Sequence, residues 1–175
     1  EGVRWMRRFL GEDESRSINH PRILAGINAR ILGINQSTKP GEIAATLIPS
    51  VGCPLGCNFC STSAMFGGKG NCVHFYETGD ELFRVMCDLE RDLRVRSFFV
   101  MDENFLLQKK RAMELLALMK AAGKSWAFHI FSSANAIRKY TAEELVELGI
   151  ASIWLGLESP KSGYAKLEGT DTMEL

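Results

Sequence analysis

The sequence lacks any excess of charge: 21 Lys and Arg offset 21 Asp and Glu, a formal net charge of zero. That balance gives no electrostatic case for nucleic acid or an anionic membrane as the main partner. Also missing is any apolar run near the roughly 20 residues that a bilayer-spanning helix requires. The basic stretch 4–10 is short and has no signal-peptide core behind it, so the expected setting is cytoplasmic. A secreted disulfide framework is absent too. The five cysteines, Cys53, Cys57, Cys60, Cys72 and Cys87, are odd in number, and three of them crowd into eight residues. Crowded thiols in a reducing compartment point to metal instead. No initiator methionine stands before Glu1-Gly2-Val3, and the chain stops at Met173-Glu174-Leu175, soon after a strand-like run. A fragment of a longer protein is the expectation, and a full-length transcript ending at Leu175 would refute it.

What is present is ordinary for a globular domain: 175 residues, 46% hydrophobic and 24% charged, enough for one sizeable core. From residue 40 onward strand and helix alternate. The apolar run 43–49, closed by Pro49 and Gly52, suits a buried strand. A loop rich in cysteine and glycine follows to about Phe75. Thr78-Gly79-Asp80-Glu81 is a capping box, and Leu82, Val85, Met86, Leu89 and Leu93 then recur on one helical face. Residues 97–101 form a second strand, and a helix over 109–122 turns Ala112, Leu115, Leu116 and Met119 inward. Residues 126–131 form a third strand. Thr141-Ala142-Glu143-Glu144 repeats the capping box before Gly149, and residues 150–157 form a fourth strand. Single helices between strands, without hairpin signals, predict parallel βαβ units, either an open sheet or a barrel. Residues 1–40 read differently, as a linker or N-terminal edge segment ahead of a core domain over 41–175.

In parallel α/β folds ligands sit beyond the carboxyl ends of the strands. Here each strand runs into polar residues there. The first reaches Ser50 and the cysteines, the second Asp102-Glu103-Asn104, the third Ser132-Ser133-Ala134-Asn135 and the fourth Glu158-Ser159. On the fourth strand Ile153, Leu155 and Leu157 form an aliphatic face suited to helices, which leaves Trp154, Gly156 and Glu158 facing the interior. On the third, His129 lies opposite Trp126, Phe128 and Ile130, either turned to a cavity or hydrogen-bonded within the core.

Cys53-Pro54-Leu55-Gly56-Cys57-Asn58-Phe59-Cys60 has the spacing CxxxCxxC. Three thiolates on one tight loop can each hold a different iron of a 4Fe–4S cube, leaving the fourth iron open. Gly52 and Gly56 let the backbone wrap closely around it. Two other chemistries compete. Structural zinc wants a fourth ligand, for which Cys72 or His74 is available. A ferredoxin-like electron carrier needs four cysteines for each cluster.

The cysteine spacing, with aromatic Phe59 before the last thiol and a strand in front, closely resembles the signature of the radical S-adenosylmethionine (SAM) superfamily. The segment 49–61 is similar to the branch whose members often carry a cobalamin-binding domain ahead of this core. Phe99-Val100-Met101-Asp102-Glu103-Asn104-Phe105 and Gly156-Leu157-Glu158-Ser159 resemble further blocks of that branch. The resemblance covers about residues 41–175. It implies an α/β fold, a partial (β/α)6 barrel with four βα units present. It also implies reductive cleavage of SAM to methionine and a 5′-deoxyadenosyl radical that abstracts hydrogen from an unreactive carbon.

Carried over by position, Cys53, Cys57 and Cys60 are cluster ligands and Phe59 lies against the adenine. Met101-Asp102-Glu103 stands where the family has Gly-Gly-Glu, without the glycines, so Asp102 or Glu103 accepts from the SAM ammonium. Glu158 contacts the ribose or methionine moiety. Ser132 and Asn135 are reachable by geometry alone. The resemblance further implies a one-electron reductant such as flavodoxin or ferredoxin, and a small-molecule substrate that the sequence does not identify. Methyl transfer linked to cobalamin is a possible reaction. The Asp-x-His motif that many cobalamin domains use is absent, so cobalamin would bind outside this chain. Gly67-Gly68-Lys69-Gly70 lacks phosphate-loop spacing and reads as part of the cluster loop. The rival from another class is a zinc-stabilised binding module without catalysis.

Overall fold

Both capping boxes form as their local chemistry dictates. Thr78 Oγ1 accepts the Glu81 N–H at 3.1 Å while Glu81 Oε2 accepts the Thr78 N–H at 3.1 Å. Thr141 and Glu144 repeat the exchange at 3.1 and 3.0 Å. Each box satisfies two N–H groups that a helix start otherwise leaves unpaired.

The computed structural model describes residues 44–156 together with Arg8, Gly11 and Asp13. In chain order the elements are β1 (Ala44–Leu47), β2 (Ser50–Val51), α1 (Ser61–Met65), β3 (Val73–His74), α2 (Gly79–Leu93) and β4 (Ser97–Val100). A 3₁₀ turn at Phe105–Leu107 precedes α3 (Lys109–Ala121), β5 (Ala127–Ser132), α4 (Ala134–Ile137), α5 (Ala142–Leu148) and β6 (Ile150–Leu155). The expected linker or edge segment over 1–40 falls almost wholly outside the described residues, as do Leu157 and Glu158.

Four strands form one sheet in the order β1-β4-β5-β6, every pair parallel. This is the α/β arrangement expected from the sequence, with strands in the order that successive βα units produce. One face of the sheet carries Ala45, Leu47, Phe98, Val100, Phe128 and Ile130, all fully buried. They share one core with Leu82, Met86 and Leu89 of α2 and with Leu115 and Met119 of α3. Complete burial of each large side chain stabilises the fold by about 1.5–3 kcal/mol, so this face holds the sheet to its helices.

The opposite face is aromatic. Phe99, Phe131 and Trp154 meet pairwise with ring centroids 5.3–5.7 Å apart. Ile153 packs against the helix-side core, and Trp154 faces the other way, as strand alternation predicts. His129 lies on the Trp154 side of the sheet, where its Nδ1 and Ser152 Oγ are 2.7 Å apart. One expectation is corrected: a hairpin is present. β2 and β3 pair antiparallel, Ser50 with His74 and Val51 with Val73. Strands of two residues are too short to show a period of two, so the alternation of apolar and polar residues gives no sign of them.

Candidate functional site

The cysteine loop is a closed lobe on the hairpin. Beyond β3 the N–H groups of Phe75 and Tyr76 both donate to Pro49 O, at 2.8 and 3.1 Å, and lock the stem. Within the lobe Cys60 caps α1, and its N–H donates to Cys57 O at 3.1 Å. The Gly70 N–H donates to Pro54 O at 2.9 Å, folding the glycine-rich half over the first cysteine turn. Gly52 and Gly56 adopt φ of +84° and +67°, which L side chains rarely take. A Cβ on Gly56 would lie 2.5 Å from Lys69 Cα. Gly56→Ala is therefore expected to push the two halves of the lobe apart. Iron bound after anaerobic reconstitution should fall several-fold while far-ultraviolet circular dichroism stays near wild type.

None of the five cysteines forms a disulfide. Partial burial pushes the Cys53 thiol up, the Leu55 N–H opposes this, and the negative charges of Cys57, Cys60 and Glu103 add to the rise. Cys60 is shifted the other way, because N–H groups of Ser63 and Thr62 stabilise its thiolate. Ionisation of Cys53 is opposed by the like charges of Cys57, Cys60 and Glu103, and a cationic iron centre would relieve that repulsion. The donor set fits an iron–sulfur cluster, whose ligands bind separate irons. Among the described residues no three of His, Cys, Asp and Glu converge on one point as ligands of a single ion must. Cys72 and His74, the fourth ligands available to zinc, are paired with each other, Sγ to Nε2 3.2 Å. A cavity of about 270 Å³ lined by His74, Glu77 and Gln108 opens beside that pair, away from the three cysteines.

The two acidic residues after β4 have different fates. Asp102 is buried: its Oδ2 accepts from Arg111 Nη2 at 2.6 Å and from Ser50 Oγ at 2.5 Å, and its Oδ1 from the Asn104 N–H at 3.0 Å. Glu103 is exposed and close enough to Cys53 and Cys72 to raise both thiols. Phe59 is 40% exposed on the lobe beside Cys60. Ser132 is buried, and its Oγ donates to Asn104 Oδ1 at 3.0 Å. The Ser133 N–H shares that acceptor, and Asn104 Nδ2 donates to Ser133 Oγ at 3.0 Å. Asn104 thus joins the carboxyl ends of β4 and β5, with the Ser132 hydroxyl committed inside the network. Glu158 lies outside the described residues.

Arg111 carries none of the signals used above, yet it reaches the site from α3. Its side chain is 2% exposed, and Nη1 donates to Tyr76 O at 3.2 Å. The signal available was its spacing: position 111 lies four before Leu115, on the inward stripe of the helix.

The family model of the radical SAM superfamily matches residues 47–174. An uncharacterized methyltransferase of Pyrococcus horikoshii is 25% identical over 131 residues, 74% of this chain and 27% of that protein. A bacteriochlorophyllide d C-12(1)-methyltransferase of Chlorobaculum tepidum is 32% identical over 116 residues, 65% of this chain and 24% of that protein. The chain thus spans about a quarter of the length of these curated relatives. No solved structure matches it significantly.

Proposed function

Because the chain belongs to the radical SAM superfamily, we propose that Cys53, Cys57 and Cys60 hold a 4Fe–4S cluster with one open iron. The carrying observation is the closed lobe that brings three cysteines outside any disulfide near exposed Glu103 at the carboxyl end of the parallel sheet. Bound there, the cluster supplies one electron for reductive cleavage of SAM to methionine and a 5′-deoxyadenosyl radical. The chain's own residues bind and orient. Glu103 accepts from the SAM ammonium, because both oxygens of the Asp102 carboxylate already take donors from the protein. Phe59 offers an exposed ring to the adenine, Ser132 steadies the end of β5 through Asn104, and Glu158 serves the ribose or methionine moiety.

For the reaction that follows we favour methyl transfer linked to cobalamin. The names of the two relatives and the likeness of segment 49–61 to the cobalamin-associated branch support it. The cobalamin is then bound outside these residues, and a flavodoxin or ferredoxin delivers the electron. Five cysteines outside any disulfide suit a reducing cytoplasm. Among the described residues no helix is long and apolar enough to cross a membrane.

Anaerobic reconstitution with iron and sulfide, then reductant and SAM, tests this reading. A brown chromophore bleached by reductant, with 5′-deoxyadenosine released, is the expected result. A colourless protein with stoichiometric zinc sinks it in favour of a zinc-stabilised module. A chromophore in a longer chain with no SAM cleavage favours an electron carrier. Glu103→Gln is expected to weaken SAM binding by about 10–100-fold, the loss of one hydrogen bond between charged partners. Titrating SAM into the reconstituted protein checks it, and an unchanged affinity removes Glu103 from the role.

A further inference from the structure

The cysteine lobe begins and ends on one buried ion pair. Ser50, at its first stem, donates to Asp102 Oδ2, and Tyr76, past its second stem, gives its carbonyl to Arg111 Nη1. The same Asp102 oxygen takes Arg111 Nη2, so the two stems meet through a single carboxylate–guanidinium contact of 2.6 Å. Both partners are almost fully withdrawn from water, with side chains 2% and 5% exposed. Asp102 is next to Glu103 on the chain, and Arg111 is anchored in α3.

We propose that Asp102 and Arg111 are positioning residues that clamp the cysteine lobe to the end of β4 and set the register of the three thiols against Glu103. The reasons are geometric. A lobe that runs from Gly52 to Cys72 is joined to the sheet by a hairpin of two residues in each strand, with few ladder hydrogen bonds to hold its angle. Backbone bonds to Pro49 O close the stem upon itself, but they do not tie it to β4. The β1–β4 pairing continues only to the Met101 N–H on Leu47 O, one residue short of Asp102. Of the hydrogen bonds described here, those of Ser50 and Tyr76 to the ion pair are the ones that join both stems to β4 and α3 at once. The planar guanidinium is suited to this, since two of its nitrogens reach separate acceptors in a fixed fork. A lysine in its place offers one nitrogen and cannot span both.

The clamp rests on the cluster reading for its purpose, but not for its existence, so the test begins with metal-free protein. Hydrogen exchange by mass spectrometry is compared for wild type, Ser50→Ala, Asp102→Asn and Arg111→Lys. Ser50→Ala leaves the ion pair intact and so guards against loss of the fold. The expected result is exchange accelerated about tenfold or more in peptides covering 50–76 in all three variants, with peptides covering 127–132 as protected as in wild type in Ser50→Ala and accelerated less than 50–76 in the two ion-pair variants. Unchanged exchange over 50–76 overturns the proposal. So does an equal rise in both regions, which makes the pair a general core element.

The second arm reconstitutes each variant and follows iron release to a chelator. Release from Ser50→Ala several-fold faster than from wild type is expected, with Ser50→Thr, which keeps the hydroxyl, restoring the wild-type rate. Equal rates in Ser50→Ala and wild type overturn the link between clamp and thiols. If wild type takes up no cluster, the cluster reading fails, while the exchange data still decide whether the clamp exists.

Discussion

Cys57→Ala is expected to give a folded chain that retains less than about a tenth of the wild-type iron and sulfide after reconstitution, a loss at least as large as that from altering a ligand's supporting shell. Cys57 is the middle thiol of the three and the most enclosed, at 6% exposure. It lies outside the main hydrophobic core, so its removal subtracts a thiol without opening a cavity beneath the sheet. Two thiols remain, on either side of the gap, and Cys72, the other cysteine of the loop, already faces His74. The control is Cys87→Ala. Cys87 packs against the core from α2, burial raises its thiol, and the variant should keep its chromophore. Iron and sulfide analysis, the visible spectrum and far-ultraviolet circular dichroism read all three proteins. Iron at wild-type level in Cys57→Ala would remove Cys57 from the ligand set.

Arg111→Ala is expected to destabilise the metal-free chain by about 3–5 kcal/mol, because the Asp102 carboxylate would be left buried without its cation. Domains of this size have a net stability of about 5–15 kcal/mol, so the variant should unfold at a small fraction of the denaturant that wild type withstands. The size of the effect follows from burial. Surface pairs such as Arg84–Asp80, with side chains 76% and 41% exposed, contribute little, since water screens them well. Replacing both partners, Arg111→Met with Asp102→Leu, should recover most of the lost stability, because no charge remains to be desolvated. Urea unfolding followed by circular dichroism measures the series. A change below about 1 kcal/mol for Arg111→Ala would mean that water reaches Asp102. The double variant should recover stability without recovering the clamp, which separates the energetic role of the pair from its positioning role.

Local chemistry explains why so much was legible. The two capping boxes require only contacts three residues apart, and both formed as read. The parallel strands announced themselves as apolar runs, and three of those runs matched observed strands to within a residue or two at either end, although two helices, α4 and α5, stand between β5 and β6 where one was expected. The inward stripe Ala112, Leu115, Leu116 and Met119 is buried as helical spacing requires. The cysteine lobe was visible because its three thiols lie within eight positions, and Gly52 and Gly56 already signalled close backbone approach.

What the sequence by itself determined, then, is the alternation of strand and helix, the family, and the loop that carries the thiols. Tertiary structure decided which of Asp102 and Glu103 is withdrawn from water. These neighbours are alike in charge and differ by one methylene, so no local rule ranks them. The ranking comes from Ser50, 52 positions earlier, and from Arg111, nine positions later on another element, which meet only when the hairpin and α3 converge at the end of β4. A carboxylate withdrawn from water must find such partners, and one left exposed is free to bind a ligand. Which of two adjacent acids is withdrawn depends on packing across the whole sheet, which sequence spacing does not record.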